Sequence, residues 1–127
     1  MNSFVSLPEV GDLYMGELIT WYDGPKLFAL TKKDSDEVLF LAYWIGDYKT
    51  EDGLSIESFM IIPASNKRLD DYNSGVIDFF DLLNIPNEKV IYRADDFFGV
   101  KEMRIEKMTR ESIDKIKPPK RGMFVKD

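Results

Sequence analysis

The strongest constraint on this chain is an almost uninterrupted apolar run near its middle, Val38-Leu39-Phe40-Leu41-Ala42-Tyr43-Trp44-Ile45. The run is much shorter than the roughly 20 apolar residues that a membrane-spanning helix needs. A strand that is apolar at every position is covered on both faces, as strands in the middle of a sheet are. Residues 37–45 are therefore predicted to form a central strand, and the rest of the chain has to cover both of its sides.

Three further segments rich in aromatic and β-branched residues predict strands around this run. They are residues 13–22, 26–31 and 55–63. Asp23-Gly24 predicts a tight turn between the first two, because glycine accepts a positive φ. Parallel strands need long crossovers, so short connections predict an antiparallel meander. Residues 1–10 are interpreted as a lead-in interrupted by Pro8, and residues 46–53 as an acidic loop.

The apolar spacing changes after Pro63 and becomes helical. Ser65 can accept a hydrogen bond from a backbone N–H in the first turn, which predicts an N-cap and a helix over 66–73. Gly75 suits the left-handed residue after the helix end, and Asp78 predicts the cap of a second short helix that ends before Pro86. The remaining segments predict two strands and a last helix, at residues 89–93, 100–108 and 109–117.

These elements predict an α+β fold, an antiparallel β-meander of four to six strands with two short helices packed on one face, plus a short C-terminal helix. Residues 1–108 are expected to form a single α+β domain, followed by a basic C-terminal helix and tail at residues 109–127. The charged residues also distinguish an acidic main part of the chain from a basic C-terminal part. Residues 1–100 hold 18 acidic and 8 basic residues, whereas residues 101–127 hold 5 acidic and 9 basic residues.

The composition narrows the possible chemistry. The 127 residues include no cysteine and no histidine, which excludes disulfides, thiol nucleophiles, thiolate zinc sites and imidazole acid–base catalysis. No phosphate-binding glycine motif occurs. We therefore expect no cofactor, and the sequence points away from an enzyme. The start of the chain has neither a basic segment nor a long apolar stretch, so we expect a cytoplasmic protein without a membrane segment.

Carboxylates are the abundant reactive groups, and they leave one catalytic alternative open. Asp78 and Asp81 are three residues apart and can share a helix face, which makes them the candidate pair for a hard divalent cation. The triplet Asp47-Tyr48-Lys49, together with Asp34 or Asp36, has the residue types of a metal-dependent nuclease. These patterns support an aspartate-based metal-dependent hydrolase or nuclease as an alternative function.

A set of short motifs occurs in a fixed order along residues 12–95. They are Tyr22-Asp23-Gly24-Pro25-Lys26-Leu27-Phe28, a strand ending at Trp44, Met60-Ile61-Ile62-Pro63-Ala64-Ser65, Arg68-Leu69 and Ser74-Gly75-Val76-Ile77-Asp78. The set resembles a bacterial domain family of unknown function, with a "YD-x-P-x-LF" hairpin, a "W" strand, a "VPVS" strand end and an "S-x-x-R-L…SG-x-I" helical pair. Lys26 stands where that family usually has arginine. The resemblance implies a shared fold and a bacterial or phage setting, and it implies no activity.

The leading functional hypothesis is a non-catalytic protein-interaction module of bacterial or phage origin. Exposed carboxylates favour a protein partner with a basic surface and disfavour direct binding to nucleic acid. The candidate binding residues are Asp47, Glu51 and Asp52 in the acidic loop, and Arg68, Asp70 and Asp71 on the first helix. A small acidic inhibitor of a nucleic-acid-processing complex, of the anti-CRISPR or anti-defence type, is the alternative in the same class. The oligomeric state is left open.

Overall fold

The computed structural model describes residues 3–21, 25–49, 51, 53, 55–78, 81–82, 90–97, 104–109 and 111. Within this part of the chain the secondary structure consists of seven strands and one helix longer than a single turn. The strands are β1 (Val5–Leu7), β2 (Gly11–Trp21), β3 (Pro25–Thr31), β4 (Val38–Lys49), β5 (Ser55–Pro63), β6 (Tyr92–Phe97) and β7 (Arg104–Lys107), and the helix is α1 (Asn66–Asn73). All seven strands form one antiparallel sheet in the order of the chain.

The predicted central strand lies in the middle of this sheet. β4 pairs with β3 on one side and with β5 on the other. Leu41 and Ala42 are both fully buried, and successive residues of a strand point to opposite faces. Both faces of β4 are thus covered, which confirms the interpretation of the apolar run. The helix packs on one face, and we call this the helix face and the opposite one the inner face.

The inner face is curled so strongly that the two ends of the sheet contribute to one apolar cluster. Phe4 precedes β1, yet its ring lies 4.9 Å from the ring of Phe28 on β3 and 5.3 Å from that of Phe59 on β5, in edge-to-face contacts. In a flat sheet β1 and β5 would stand about 19 Å apart. Val5 on β1 and Ile105 on β7 belong to the same cluster. The sheet is therefore a nearly closed barrel around this interior.

The helix face is covered by α1. Leu69 and Tyr72 are buried against a cluster that includes Leu41 of β4 and Ile62 of β5. The Ser65 side chain accepts from the backbone N–H of Arg68, so the predicted N-cap and the predicted helix at 66–73 are confirmed.

Asn66 joins the start of the helix to the turn between β3 and β4. Its Oδ1 accepts from the backbone N–H of Val38 over 2.9 Å, and its Nδ2 donates to the Asp36 carbonyl over 3.0 Å. Because both the oxygen and the nitrogen of the Asn66 side-chain amide are hydrogen-bonded to the turn, the helix holds the turn in place.

The predicted α+β architecture with two helices packed on a meander is wrong. The described part of the chain is mostly antiparallel sheet, with seven strands instead of four to six and one short helix. One segment accounts for the seventh strand. Val5–Leu7 lies in the presumed lead-in and forms β1, because Pro8 ends a strand there instead of preventing one. The acidic loop is shorter than predicted, since β4 continues to Lys49.

The other predicted helices fall mostly outside the described residues. Asp81 and Leu82 are helical, and the rest of the predicted second helix lies outside the described residues. Of the predicted C-terminal helix only Thr109 and Glu111 are described, so the proposed domain boundary after residue 108 stays a prediction. No helix in the described part of the chain is long and apolar enough to span a membrane.

Candidate functional site

The most unusual feature of the sheet is an open strand edge on β2. The short strand β1 covers only the start of β2, where its three residues pair with Gly11, Asp12 and Leu13. β2 then continues to Trp21 while pairing with β3 on its other side. Among the strands that the structure describes, none pairs with the outer side of residues 14–21. That edge presents a row of backbone N–H and C=O groups on which another strand can be added. We call it the β2 edge.

Two large apolar side chains are exposed along the β2 edge. Met15 is 41% exposed and Leu18 is 46% exposed. Their partners on β3 are Leu30 and Phe28, which are fully buried on the inner face. Residues opposite each other in an antiparallel pair point to the same face, so Met15 and Leu18 extend the inner apolar surface to the solvent where the barrel does not close.

A β-bulge lies between these two residues. Met15 pairs with Leu30 and Leu18 pairs with Phe28, so Gly16 and Glu17 together stand opposite a single residue of β3. A Cβ atom on Gly16 would lie 3.3 Å from Cγ2 of Thr31, which explains why a residue without a side chain fits there. Glu17 is exposed. The bulge therefore places one carboxylate between the two exposed apolar side chains.

A cleft of about 570 Å³ adjoins the β2 edge. Its lining residues come from β2 and from the turn between β3 and β4, and they are Tyr14, Met15, Gly16, Thr31, Lys32, Lys33, Asp34, Ser35 and Asp36. The turn is well ordered by its own hydrogen bonds. The Ser35 N–H donates to the Lys32 carbonyl over 3.2 Å, and the Glu37 N–H donates to the Ser35 hydroxyl over 3.1 Å. Met15 belongs both to the cleft and to the β2 edge.

The charges of the cleft are unequally engaged. The Lys32 ammonium donates to the Val10 carbonyl, at the turn between β1 and β2. Lys33, Asp34 and Asp36 are exposed. Within the described residues, neither carboxylate takes part in an ion pair. The turn thus holds two carboxylates in the solvent beside the apolar surface of Met15.

The candidate residues on α1 are partly committed to holding the fold together. The Arg68 guanidinium donates to the carbonyls of Asp81 and Leu82, the latter over 3.4 Å, and so ties α1 to the turn that follows it. Asp71 pairs with Lys67 one helical turn away, with 3.2 Å between Nζ and Oδ2. Asp70 is exposed.

The candidate residues of the acidic loop lie far from those on α1. Asp47 is on β4 in register with Glu57, Glu51 is exposed after the end of that strand, and Asp52 lies outside the described residues. The loop precedes β5 and the helix follows it. A strand of nine residues spans about 27 Å. The structure therefore does not combine the two predicted groups into one acidic surface.

The carboxylates of the catalytic alternative are also separated or engaged. Asp78 Oδ1 accepts from the Asp81 N–H over 2.8 Å, and Asp81 Oδ2 accepts from the Asp78 N–H over 3.4 Å. This is the reciprocal pattern of a capping box, and it confirms the predicted cap at Asp78. Among the described residues, no group of three or more Asp or Glu side chains could hold a metal ion. Asp36 and Asp47 lie near opposite ends of β4, about 30 Å apart along the strand.

Sequence reasoning missed a polar cluster on β5 and β6. Ser58 is 1% exposed, and its hydroxyl donates to Asp95 Oδ1 over 2.6 Å. Arg93 donates to the same oxygen from Nε over 3.1 Å, and to the Ser58 hydroxyl from Nη2 over 3.3 Å. The spacing of Arg93 and Asp95 was a usable signal, because residues two apart on a strand share a face.

Burial raises the pKa of the Tyr43 hydroxyl on the same face.

The described part of the protein is thus a curled antiparallel sheet with a partly buried polar cluster and an open, partly apolar strand edge. The chain belongs to a family of unknown function, DUF6575, whose model matches residues 1–127. No curated protein and no solved structure matches it. The expected membership of a family of unknown function is confirmed, and it extends over the whole chain instead of residues 12–95. The bacterial setting and the individual motifs of the resemblance stay predictions.

Proposed function

We propose that this protein is a non-catalytic interaction module that binds an extended segment of a partner protein along the β2 edge. The observation that carries this proposal is the outer side of residues 14–21, with which no described strand pairs, together with exposed Met15 and Leu18. Strand addition uses the backbone groups of such an edge for affinity and alternate side chains for specificity. The mode of binding needs neither a cofactor nor a reactive side chain.

The residue types along the β2 edge support a binding role for this edge, because they are not those that usually protect an exposed strand. Proteins usually protect an open edge with lysine, proline or a very short strand, because bare edges promote aggregation. Here Met15 and Leu18 stand at two of the positions where such protection would be expected, and Glu17 carries the charge between them. Val76 is 71% exposed but lies in a turn after α1, and a single exposed apolar side chain needs no special explanation.

The charge of the chain supports a partner other than a second copy. The net charge is −6, and antiparallel pairing of two β2 edges would bring two Glu17 carboxylates toward each other. Like charges across a strand pair are destabilising. A partner segment with basic side chains meets an attractive field instead, which increases the rate of encounter at low ionic strength.

The test is selection of ligands from a library of random linear 12-residue peptides, followed by NMR of the methionine methyl groups. We expect selected peptides to shift the Met15 methyl signal. Met15→Lys and Leu18→Lys should each weaken binding at least about tenfold, because they place an unpaired charge against the added strand. Val76→Lys is the matched control, since it makes the same kind of change at an exposed site off the edge, and it should bind normally.

Two results would overturn the proposal. One is a library selection that yields no peptide able to perturb Met15. The other is binding that Leu18→Lys and Val76→Lys leave equally strong, provided that both variants melt at the wild-type temperature.

The acidic charge also supports a second candidate, an inhibitor of a nucleic-acid-processing complex. In this case the partner segment lines the nucleic-acid-binding groove of the target complex. The exposed carboxylates of this protein then occupy the positions where the phosphates of the nucleic acid would bind. The two candidates differ in one measurement. A selected peptide or its parent protein should lose binding in the presence of competing DNA or RNA only if the inhibitor function is correct.

A further inference from the structure

A segment of this chain itself has the properties needed to cover the β2 edge. We propose that residues 121–126 add to the β2 edge as a strand and are displaced when a partner binds. The inference rests on strand addition at the β2 edge, and it adds the regulation of that site and the pattern of side chains that the site accepts. Residues 112–127 lie outside the described residues and are the longest such stretch of the chain.

The β2 edge calls for two apolar side chains that are two residues apart. Met15 and Leu18 are three residues apart, but their partners on β3, Leu30 and Phe28, are two apart because the bulge adds a residue to β2. Residues two apart on a strand share a face. A strand added to the outer side of β2 can therefore cover Met15 and Leu18 with two residues at this spacing, and it extends the apolar inner face only if both are apolar.

Residues 121–126 have this pattern. Their sequence is Arg121-Gly122-Met123-Phe124-Val125-Lys126, so that Met123 and Val125 are apolar and two residues apart. Phenylalanine and valine also favour strands. In the proposed strand Phe124 lies on the opposite face, beside Gly16, where a residue of β2 without a side chain leaves room for a ring.

The charges of the segment are opposite to those of the strand that it would join. Asp12 and Glu17 are the charged residues of β2, and both are exposed. Residues 112–127 include five basic and two acidic residues, and Arg121 and Lys126 flank the apolar group. Opposite charges on neighbouring strands are stabilising, whereas like charges are destabilising. Charge complementarity therefore favours this segment over a second copy of β2.

The connection from β7 is long enough for this contact. In a flat sheet β7 and β2 would stand about 24 Å apart, and the curl shortens this distance, since Ile105 of β7 and Val5 of β1 share one cluster. The chain from Lys107 to Met123 spans about 30 Å even with the predicted helix at residues 109–117. Because neighbouring strands are antiparallel throughout, β7 ends at the end of the sheet where β2 begins. Such a tether gives a local concentration of roughly millimolar, and a free partner has to compete with it.

The experiment uses the full chain with a nitroxide label on Lys126→Cys, a unique labelling site because cysteine is otherwise absent from the chain. Methyl NMR measures the paramagnetic broadening of the Met15 signal. The test variant combines Met123→Gln with Val125→Thr, which removes the apolar pattern and leaves the charge of the segment unchanged. Val76→Thr is the matched control, because it makes the same change at an exposed valine off the edge.

We expect the label to broaden the Met15 signal in the otherwise unchanged protein and in Val76→Thr, and we expect the double variant to lose this broadening. The double variant should also bind the tightest library peptide at least about threefold more tightly, because the edge is then open in a larger fraction of the molecules. Broadening that persists in the double variant reflects proximity without pairing and overturns the assignment. Broadening in a mixture with the nitroxide on one copy and the NMR isotope on another shows that the segment comes from a second molecule, and it overturns the assignment as well.

The same measurements separate this inference from the proposed function. An unbroadened Met15 signal, together with a library peptide that shifts it, overturns the contact of residues 121–126 and leaves strand addition by a partner intact. A broadened Met15 signal in a protein for which the library yields no ligand overturns the proposed function and leaves the contact intact. An unbroadened signal without any ligand overturns both.

Discussion

The Ser58 hydroxyl donates to Asp95 Oδ1 over 2.6 Å across the pair formed by β5 and β6. Arg93 donates to the same oxygen over 3.1 Å, so a single carboxylate oxygen collects two donors. The cluster is sensitive to register, since a slip of one residue would move either partner to the other face of the sheet. It therefore helps to specify how the C-terminal strands join the meander.

Removal of the acceptor in this cluster should destabilise the fold. Asp95→Ala leaves the buried Ser58 hydroxyl without its carboxylate, and we expect a loss of about 1–3 kcal/mol in the free energy of unfolding. Urea unfolding followed by tryptophan fluorescence measures this loss. Asp95→Asn keeps one acceptor oxygen and should lose less. An unchanged urea midpoint for Asp95→Ala would show that the cluster contributes nothing to stability.

Tyr43 should make stability depend on alkaline pH. Burial raises the pKa of its hydroxyl in the folded state, whereas the unfolded chain ionises near the usual value of about 10. The unfolded state therefore releases its proton first, and stability falls as the pH rises from about 10 through the folded pKa. Chemical unfolding at a series of pH values should show a shallower alkaline decline for Tyr43→Phe. Equal slopes for the two proteins would contradict this account.

Phe4 should hold β1 onto the inner face. Its ring contacts Phe28 and Phe59 at 4.9 Å and 5.3 Å, although it precedes the short strand β1. Phe4→Ala should cost about 2–3 kcal/mol, less than the ~3–5 kcal/mol typical of a fully buried phenylalanine, because the ring is only half-buried. Hydrogen exchange should accelerate at β1 before the rest of the sheet. Phe4→Leu keeps part of the contact and should lie between the two. If β1 exchanges equally slowly in Phe4→Ala, another contact holds it.

Divalent cations should not stabilise the protein. The Asp78 and Asp81 carboxylates each accept a hydrogen bond from the backbone N–H of the other residue, and we expect millimolar Mg²⁺ or Mn²⁺ to leave the melting temperature unchanged. A rise that a chelator reverses and that Asp78→Asn abolishes would support the metal-dependent hydrolase instead. Asp70→Asn is the control for a simple change of surface charge.

The candidate site shows the limit of reasoning from residue types. The acids singled out in the sequence were chosen because charge is visible there, yet Arg68 and Asp71 turned out to make contacts within the fold. The β2 edge was not singled out, because Met15 and Leu18 look like ordinary strand residues in a sequence. Their exposure depends on how far β1 extends along β2, and β1 begins only at Val5, opposite Leu13.

By itself the sequence determined the helix and strands that can be predicted from residues close together in the chain, such as a capping residue, an apolar spacing or a turn. Ser65 and the apolar spacing after it were sufficient to predict α1, and the bounds of β5 at 55–63 followed from its composition and turns. The apolar run at 38–45 also determined that both faces of β4 are covered. Only the tertiary structure decided the curl of the sheet, the addition of β1, and the open side that β2 has among the described strands. These features depend on contacts between residues distant in the chain, such as Phe4 with Phe59, and a local pattern carries no information about them.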